Sequence, residues 1–457
     1  MKSGKELVLS ALRFEETERT PWVPFTGVQV ARLVDMDAET FLKDGDAIVR
    51  GVVAAAERYR ADGVCSVFDL QVEAEVLGCG LKWSKKNPPA VVGHALENGG
   101  SIDELPEFTR DKGRIPLCLE ATKKIVDEIG ETTAVFALIC GPFTLALHLA
   151  GSAFLTGMIE RPAEAKALLD YCSGIACKMS EWYLETGAHV IAVVDPMTSQ
   201  ISPRHFKRFV TPALEPLVEY VHSLNGIITL FCCGNATKNI ELMMQCKPDG
   251  VAFDEQVDLA MVAGLAPKYN VCFEGNMALT TTLLFGSPEE CVSEAAERIK
   301  TGGKRGYILS PGCDLPFDTP FYNLEAVGNY AQDGTIPEKN SGFLSLEEAL
   351  KQCADSGEDE ADTEFKEGEV FIEIVTLDSE GCAPCQYMVE SVKSVAPLYS
   401  GKLRWKETLI KSLAGIRRTQ QLGVTTLPTM LINNEVVFDN IVPTKEELCA
   451  EIDKRLA

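Results

Sequence analysis

Eight short apolar runs, each followed by a longer amphipathic stretch, limit what this chain can fold into more than any other feature. They fall at residues 22–26, 63–68, 134–140, 189–195, 227–232, 250–254, 270–274 and 306–310. The stretches between them carry helix-start signals at Arg161-Pro162, Ser202-Pro203 and Ser287-Pro288-Glu289-Glu290. In the last, a capping serine precedes proline at the first helical position and glutamate at the third. Strand–helix alternation calls for parallel strands joined by crossover helices, and eight such units close most economically into a (β/α)8 TIM barrel. An open doubly wound sheet is the runner-up; no G-x-G-x-x-G follows the first run.

The chain has 457 residues, more than one ordinary domain, and a formal charge of −24. Nonspecific phosphate binding needs clustered Lys and Arg, so this charge argues against nucleic acid and anionic membrane as partners. Residues 1–21 mix Lys2, Lys5, Glu6, Arg13, Glu15 and Glu16 into an apolar periodicity, an amphipathic helix rather than a signal peptide, so the expectation is a cytoplasmic protein. In a reducing compartment the 16 cysteines serve as core filler, metal ligands or redox catalysts. Residues 132–159 carry no Asp, Glu, Lys or Arg, a length that spans a bilayer, but Gly141-Pro142 breaks the stretch and His148, Gly151 and Ser152 interrupt its second half. A buried strand running into a loop and helix is the better account.

In such a barrel the active site forms at the C-terminal ends of the strands. The residues collecting there are Asp69, Asp195, Cys233, Asp254, Glu274, Asn276 and Cys313. For any single carboxylate a helix-capping role is about as common as catalysis; convergence on one rim is what points to a site. The centre is Thr229-Leu230-Phe231-Cys232-Cys233-Gly234-Asn235, a strand ending in two thiols and a Gly-Asn turn. Strand parity turns Phe231 and Cys233 one way and Cys232 the other. Tyr307-Ile308-Leu309-Ser310-Pro311-Gly312-Cys313-Asp314 repeats the arrangement. A lone cysteine is more often core filler than ligand, but two strand-end thiols, each beside a glycine, are placed to share one metal.

The expected organisation is a barrel over 1–342, an acidic linker over 343–366 and a small domain over 367–457. A helix is expected from Ser345-Leu346-Glu347-Glu348, ahead of the acidic run 355–362. Residues 343–365 hold eight acids and one Lys, a net −7, which keeps a linker solvated and extended. The small domain reads as a strand at 370–375, Gly381-Cys382-Ala383-Pro384-Cys385 opening a helix, Leu427-Pro428-Thr429 before a strand at 430–433, and a helix capped by Thr444 with Glu447 three residues on. Zinc at that Cys-x-x-Cys would need a second ligand pair, and Cys449 alone supplies too little, so redox chemistry is expected there.

This last part resembles thioredoxin. The resemblance implies a thioredoxin fold, a cis proline at Pro428 facing the sulfurs, Cys382 as nucleophile and Cys385 as resolving thiol. A helix N-terminus can draw the first thiol's pKa from ~8.5 to about 7. Gly381 stands where that family usually has Trp, and Ala-Pro replaces Gly-Pro.

Residues 1–340 resemble the uroporphyrinogen decarboxylase superfamily through Glu73-Ala74-Glu75-Val76-Leu77-Gly78, Gly141-Pro142-Phe143-Thr144, Asp195-Pro196, Cys233-Gly234-Asn235, Glu274-Gly275-Asn276 and Ser310-Pro311-Gly312-Cys313. The resemblance implies a (β/α)8 barrel and one of two activities. The decarboxylase branch holds its propionates with Arg-Gln-Ala-Gly-Arg, where this chain has Pro24-Phe25-Thr26-Gly27-Val28-Gln29-Val30-Ala31-Arg32, without paired arginines. The corrinoid-dependent methyltransferase branch binds zinc through His-x-Cys-Gly and Pro-Gly-Cys; Cys233 and Cys313 match two ligands, and Phe231 stands in place of the His.

Glu274 or Cys272, sharing a strand face, would complete a zinc site; Asp195 and Asp254 are weaker options. The expected reaction moves a methyl group between a corrinoid on a separate protein and a small thiol or methylated small molecule. Asp195 and Glu274 are the candidate catalytic carboxylates of the barrel, and Asn235 and Asn276 the candidate cofactor-binding residues. No Asp-x-His-x-x-Gly corrinoid signature occurs; Ala146-Leu147-His148-Leu149-Ala150-Gly151 lacks the Asp. The alternatives are a decarboxylase-type lyase and a thiol–disulfide oxidoreductase that uses the barrel as a binding module. Reaction direction and oligomeric state stay open.

Overall fold

The structure, a computed structural model, describes residues 2–338, 342–355 and 368–456. Seven parallel strands form one curled sheet: β1 (Gly63–Cys65), β4 (Ala134–Cys140), β5 (Val190–Val194), β6 (Ile228–Cys232), β7 (Gly250–Phe253), β8 (Cys272–Met277) and β9 (Tyr307–Pro311), neighbours in that order. A hairpin of β2 (Gly80–Lys82) and β3 (Ala90–Gly93) occupies the connection from β1 to β4. All seven barrel strands are buried along their whole length, which is why they read as continuous apolar runs rather than alternating ones.

The first apolar run, 22–26, is the exception. It closes the barrel between β9 and β1 without becoming a ladder strand. The Val23 N–H donates to Leu309 O at 3.0 Å, the Leu309 N–H to Pro21 O at 2.9 Å and the Asp62 N–H to Trp22 O at 2.8 Å. Pro21 and Pro24 have no N–H to offer, so the hydrogen-bond ladder cannot propagate through them. The architecture is therefore a TIM-type barrel with one irregular stave.

The N-terminal helix Gly4–Leu12, opened by a Ser3/Glu6 capping box, sends Val8, Ala11 and Leu12 into the barrel interior. The charge-free stretch folds as expected, with β4 leading into helices Pro142–Ala150 and Ala153–Glu160. Among the described residues no single helix is long and apolar enough to cross a membrane; these two qualify only as a pair, bent by 106°.

The C-terminal part is a four-stranded sheet ordered β11-β10-β12-β13, comprising β10 (Val370–Thr376), β11 (Leu403–Leu409), β12 (Thr429–Ile432) and β13 (Glu435–Asp439). β11 runs parallel to β10, and β12 runs antiparallel to both β10 and β13. Helices Ala383–Val395, Leu413–Leu422 and Lys445–Leu456 accompany it. The expected helix after residue 345 is present as Leu346–Asp355, but it is docked rather than solvated. Leu346 and Leu350 pack on Val375, Ile410, Ile416 and Leu431, and the Leu346 N–H reaches Glu290 Oε2 at 3.2 Å. The acidic residues 356–362 lie outside the described residues.

Candidate active site

Cys233 and Cys313 leave the ends of β6 and β9 and meet across the barrel mouth. Their sulfurs form a disulfide that joins residues 80 apart in sequence, with Cα atoms 5.8 Å apart. The turn after β7 supports both. Asp254 Oδ2 accepts the Gly234 N–H at 2.9 Å, and Gly312 lies so close to that turn that a Cβ on it would stand 2.6 Å from the Glu255 nitrogen. Gly234 has a positive φ of 82°. Each cysteine thus has a glycine neighbour for a steric reason: one needs the backbone freedom and the other the close approach.

Asn276 holds the same turn from below, its Nδ2 donating to Asp254 O at 3.0 Å and Val257 O at 2.7 Å. Asn235 forms a local turn, accepting the Thr237 N–H at 3.2 Å, and its carbonyl receives Asn440 Nδ2 at 3.4 Å. Neither asparagine lines the cavity at the mouth.

The cavity is bounded on its far side by the C-terminal sheet and helices, and Cys382, Cys385 and Pro428 line it opposite Cys233 and Cys313. Cys382 caps helix Ala383–Val395 and its Sγ accepts the Cys385 N–H at 3.4 Å. These two sulfurs are also paired, with Cα atoms 5.3 Å apart; Cys382 is half-buried and Cys385 is 1 % exposed. The Leu427–Pro428 peptide is cis. All four cysteines that line the cavity belong to these two disulfides.

The C-terminal part is held over the mouth at several points. Asn87 donates to Asp378 at 2.9 Å and accepts from Lys411 at 2.8 Å, the Leu427 N–H donates to Gln256 Oε1 at 2.9 Å, and Gln200 donates to Asn440 at 2.9 Å. Gln386 donates to Val91 O, and Tyr387 stacks on His94. Sequence reasoning missed all of these, because nothing in the spacing of Asn87, Gln256 or Asn440 marks them as partners of residues more than a hundred positions away.

Strand parity correctly separates the adjacent thiols. Phe231 and Cys233 belong to the barrel interior, whereas Cys232 sits among the outer helices with its sulfur 3.2 Å from Thr198 Oγ1. Phe231, 2 % exposed, packs its ring 4.7 Å from Phe25 and 6.2 Å from Phe68; full burial of such a ring is worth ~1.5–3 kcal/mol.

Of the expected further zinc ligands only Asp254 is at the mouth, with its Oδ2 taken up by the Gly234 N–H; the others are elsewhere. Cys272 and Glu274 are buried lower in the barrel and absent from the cavity lining; Glu274 Oε1, without a partner, lies 2.9 Å from where a Cβ on Gly250 would be. Asp195 is drawn to the start of helix Pro142–Ala150, where it accepts the N–H groups of Phe143 (3.0 Å) and Thr144 (2.8 Å) and the Thr144 hydroxyl (2.6 Å). Among the described residues no three His, Cys, Asp or Glu side chains gather as metal ligands. With both thiols joined to each other and Phe231 apolar, this donor set does not fit a four-coordinate zinc.

Burial sets the ionisation of the carboxylates. It raises Asp195 to about 6, against the lowering pull of its three hydrogen bonds, and Glu274 to about 8. Asp314, next to Cys313 and in the cavity lining, is raised by burial to about 8, with Lys411 pulling it down; its Oδ1 has no partner. Burial, then the charge of Asp254 beside it, raises Glu255 well above the usual range. Asp69, by contrast, is a support, bound to Arg114 at 2.6 Å.

The comparisons with known proteins bear on the barrel part of the chain. The family model "Uroporphyrinogen decarboxylase (URO-D)" matches residues 3–333. The methylcobamide:CoM methyltransferase MtbA of Methanosarcina acetivorans is 29% identical over 337 residues, covering 72% of this chain and 97% of that protein. A methylated-thiol–coenzyme M methyltransferase of Methanosarcina mazei is 27% identical over 304 residues, covering 65% of this chain and 79% of that one. The solved structure of a methyltransferase from Methanosarcina mazei superimposes with a TM-score of 0.68 at 25% identity, covering 73% of this chain and 99% of that one.

Proposed function

Because the chain belongs to the uroporphyrinogen decarboxylase (URO-D) family and is a methyltransferase, we propose that its barrel moves a methyl group between a corrinoid carried by a separate protein and a small thiol or methylated small molecule. The observation that carries this reading is the placement of Cys233 and Cys313 at the mouth of a barrel that matches methylcobamide:CoM methyltransferases along nearly their whole length. The corrinoid is a substrate that gives up or receives the methyl group.

This chain's own residues position the other reactant. Val28, Phe68, Val194, Leu315 and Phe317 give the cavity dry walls, and exclusion of water strengthens the polar contacts that orient a reacting sulfur. Burial keeps Asp314 and Glu255 largely protonated, and the lining offers only Lys86 and Lys411 as cations, so it has no cluster of positive charge to hold a polyanion. No step of this proposal is routed through zinc, since the oxidised pair with Phe231 beside it does not offer zinc four ligands.

The lyase alternative is disfavoured by the same lining, which contains no arginine. Arg32, the one arginine of the 24–32 segment, donates instead to Phe317 O and Thr319 O. In the C-terminal part we read a thioredoxin-like unit over residues 367–457, on the strength of its strand order, the half-buried Cys382 at a helix start and Pro428 beside it. A thiol–disulfide role for that unit accompanies methyl transfer rather than replacing it.

The test is turnover of methylcobalamin with a panel of small thiols, using fully reduced protein, beside a parallel assay with uroporphyrinogen. Demethylation dependent on Cys233 supports the reading; decarboxylation with no methyl transfer overturns it.

A further inference from the structure

Two disulfides line one cavity, one from each part of the chain, so that either pair, once reduced, faces the other as an oxidised acceptor. We propose that the reduced Cys382/Cys385 pair has the barrel's own Cys233–Cys313 disulfide as its substrate, and that this exchange switches the mouth of the barrel between a closed, oxidised state and an open dithiol state. The inference rests on the thiol–disulfide reading of the C-terminal part and adds its target.

Three observations carry it. The four cysteines of the cavity are these two pairs and no others, so the half-buried Cys382 sulfur meets no competing thiol there. Cys232, the neighbour of Cys233, is a free thiol turned away and buried, so it does not compete to resolve a mixed disulfide formed at Cys233 or Cys313. The Asn87, Gln256 and Asn440 contacts hold the C-terminal part over the mouth from separate flanks, so the encounter is intramolecular. Tethering of this kind gives effective concentrations of roughly millimolar, enough for exchange without any intrinsic affinity.

The step balances as two exchanges. The Cys382 thiolate attacks one sulfur of Cys233–Cys313, forming a mixed disulfide and releasing the other as a thiolate. The Cys385 thiolate then attacks Cys382, closing Cys382–Cys385 and releasing the second barrel thiolate. Two electrons pass from the helix pair to the barrel pair, and the two protons lost by the helix thiols end on the barrel thiols. An external dithiol reductant regenerates Cys382/Cys385.

The experiment uses the full chain, oxidised and then given a limiting external dithiol, with thiols counted residue by residue by alkylation and mass spectrometry. Cys385→Ser is expected to accumulate a mixed disulfide between Cys382 and Cys233 or Cys313. Cys382→Ser is expected to slow recovery of the barrel thiols at least 10-fold, and in wild type the transfer step that follows reduction of Cys382/Cys385 should not change rate with protein concentration. Equal recovery in Cys382→Ser, or cross-links only to other proteins, overturns the proposal. Reduction of a generic small disulfide by the same wild-type protein separates the two levels. Activity there with no barrel exchange removes only the target, whereas inactivity on both removes the redox reading itself and the proposal with it. Because wild-type concentration dependence needs no substitution, the test stands even if a variant folds poorly.

Discussion

The two cysteine pairs that face the cavity are built in opposite ways. Cys382 and Cys385 are brought together by local structure: three residues apart, they are joined by the first turn of one helix. Cys233 and Cys313 are brought together only by the barrel, which delivers strand ends 80 residues apart to one point and props both on the turn after β7. A local pair keeps its geometry wherever its helix goes, whereas a pair made by the fold reports on the fold. The helix pair therefore suits a carrier of electrons, and the barrel pair suits a site whose chemistry depends on its oxidation state.

The largest expected effect tests whether the barrel pair is where methyl transfer occurs. In pre-reduced protein, Cys233→Ser should lower methyl transfer from methylcobalamin at least 100-fold, about 2.7 kcal/mol of barrier, while Cys232→Ser, on the other face of the strand, should stay within threefold. Steady-state rates measured in parallel check this; equal losses would mean that the strand matters and the mouth does not.

A second substitution sharpens the chemistry of the same pair. Phe231→His places an imidazole on the face shared with Cys233, and in reduced protein it should raise zinc affinity at least 10-fold in competition with a chromophoric chelator. Unchanged affinity would mean that the three positions do not converge.

Glycines before each pair extend the comparison to stability. Gly312→Ala drives a Cβ to 2.6 Å from the Glu255 backbone nitrogen, which cannot move cheaply, and should cost about 2 kcal/mol by denaturant unfolding. Gly381→Ala meets the Asn87 side chain first, at 3.0 Å and not backbone, and should cost less, under about 1 kcal/mol.

The last effect is in pH dependence. Glu274 is raised to about 8, so the stability its protonated form contributes is complete below the ordinary value near 4.5 and is lost as pH rises through 8. Glu274→Gln should remove that loss, so that its stability relative to wild type rises progressively between pH 5 and pH 9. Parallel slopes in the two proteins would place its titration elsewhere.

Much of this was legible in the sequence, for reasons that differ between the pairs. The barrel followed from strand–helix alternation, and the facing of Phe231, Cys232 and Cys233 followed from strand parity, because both are local periodicities with a fixed physical cause. The irregular first stave was legible in principle, since Pro21 and Pro24 cannot donate to a ladder. The fates of Asp195 and Glu274 were not. A carboxylate at a strand end serves a neighbouring helix or sits unpartnered in a core according to what packs beside it, and that is tertiary information. The acidic composition of 343–365 also hid an amphipathic helix face, Leu346 and Leu350, whose docking surface lies more than twenty residues downstream. Above all, spacing alone could not show that the two cysteine pairs look into the same cavity.

The measurement that tests the account most directly is single-turnover methyl transfer from methylcobalamin to a small thiol, with Cys233–Cys313 quantified by alkylation in the same quenched samples. The account predicts a rate proportional to the fraction of barrel pairs that are open, falling at least 100-fold as that disulfide closes. Full activity with Cys233–Cys313 closed would contradict it.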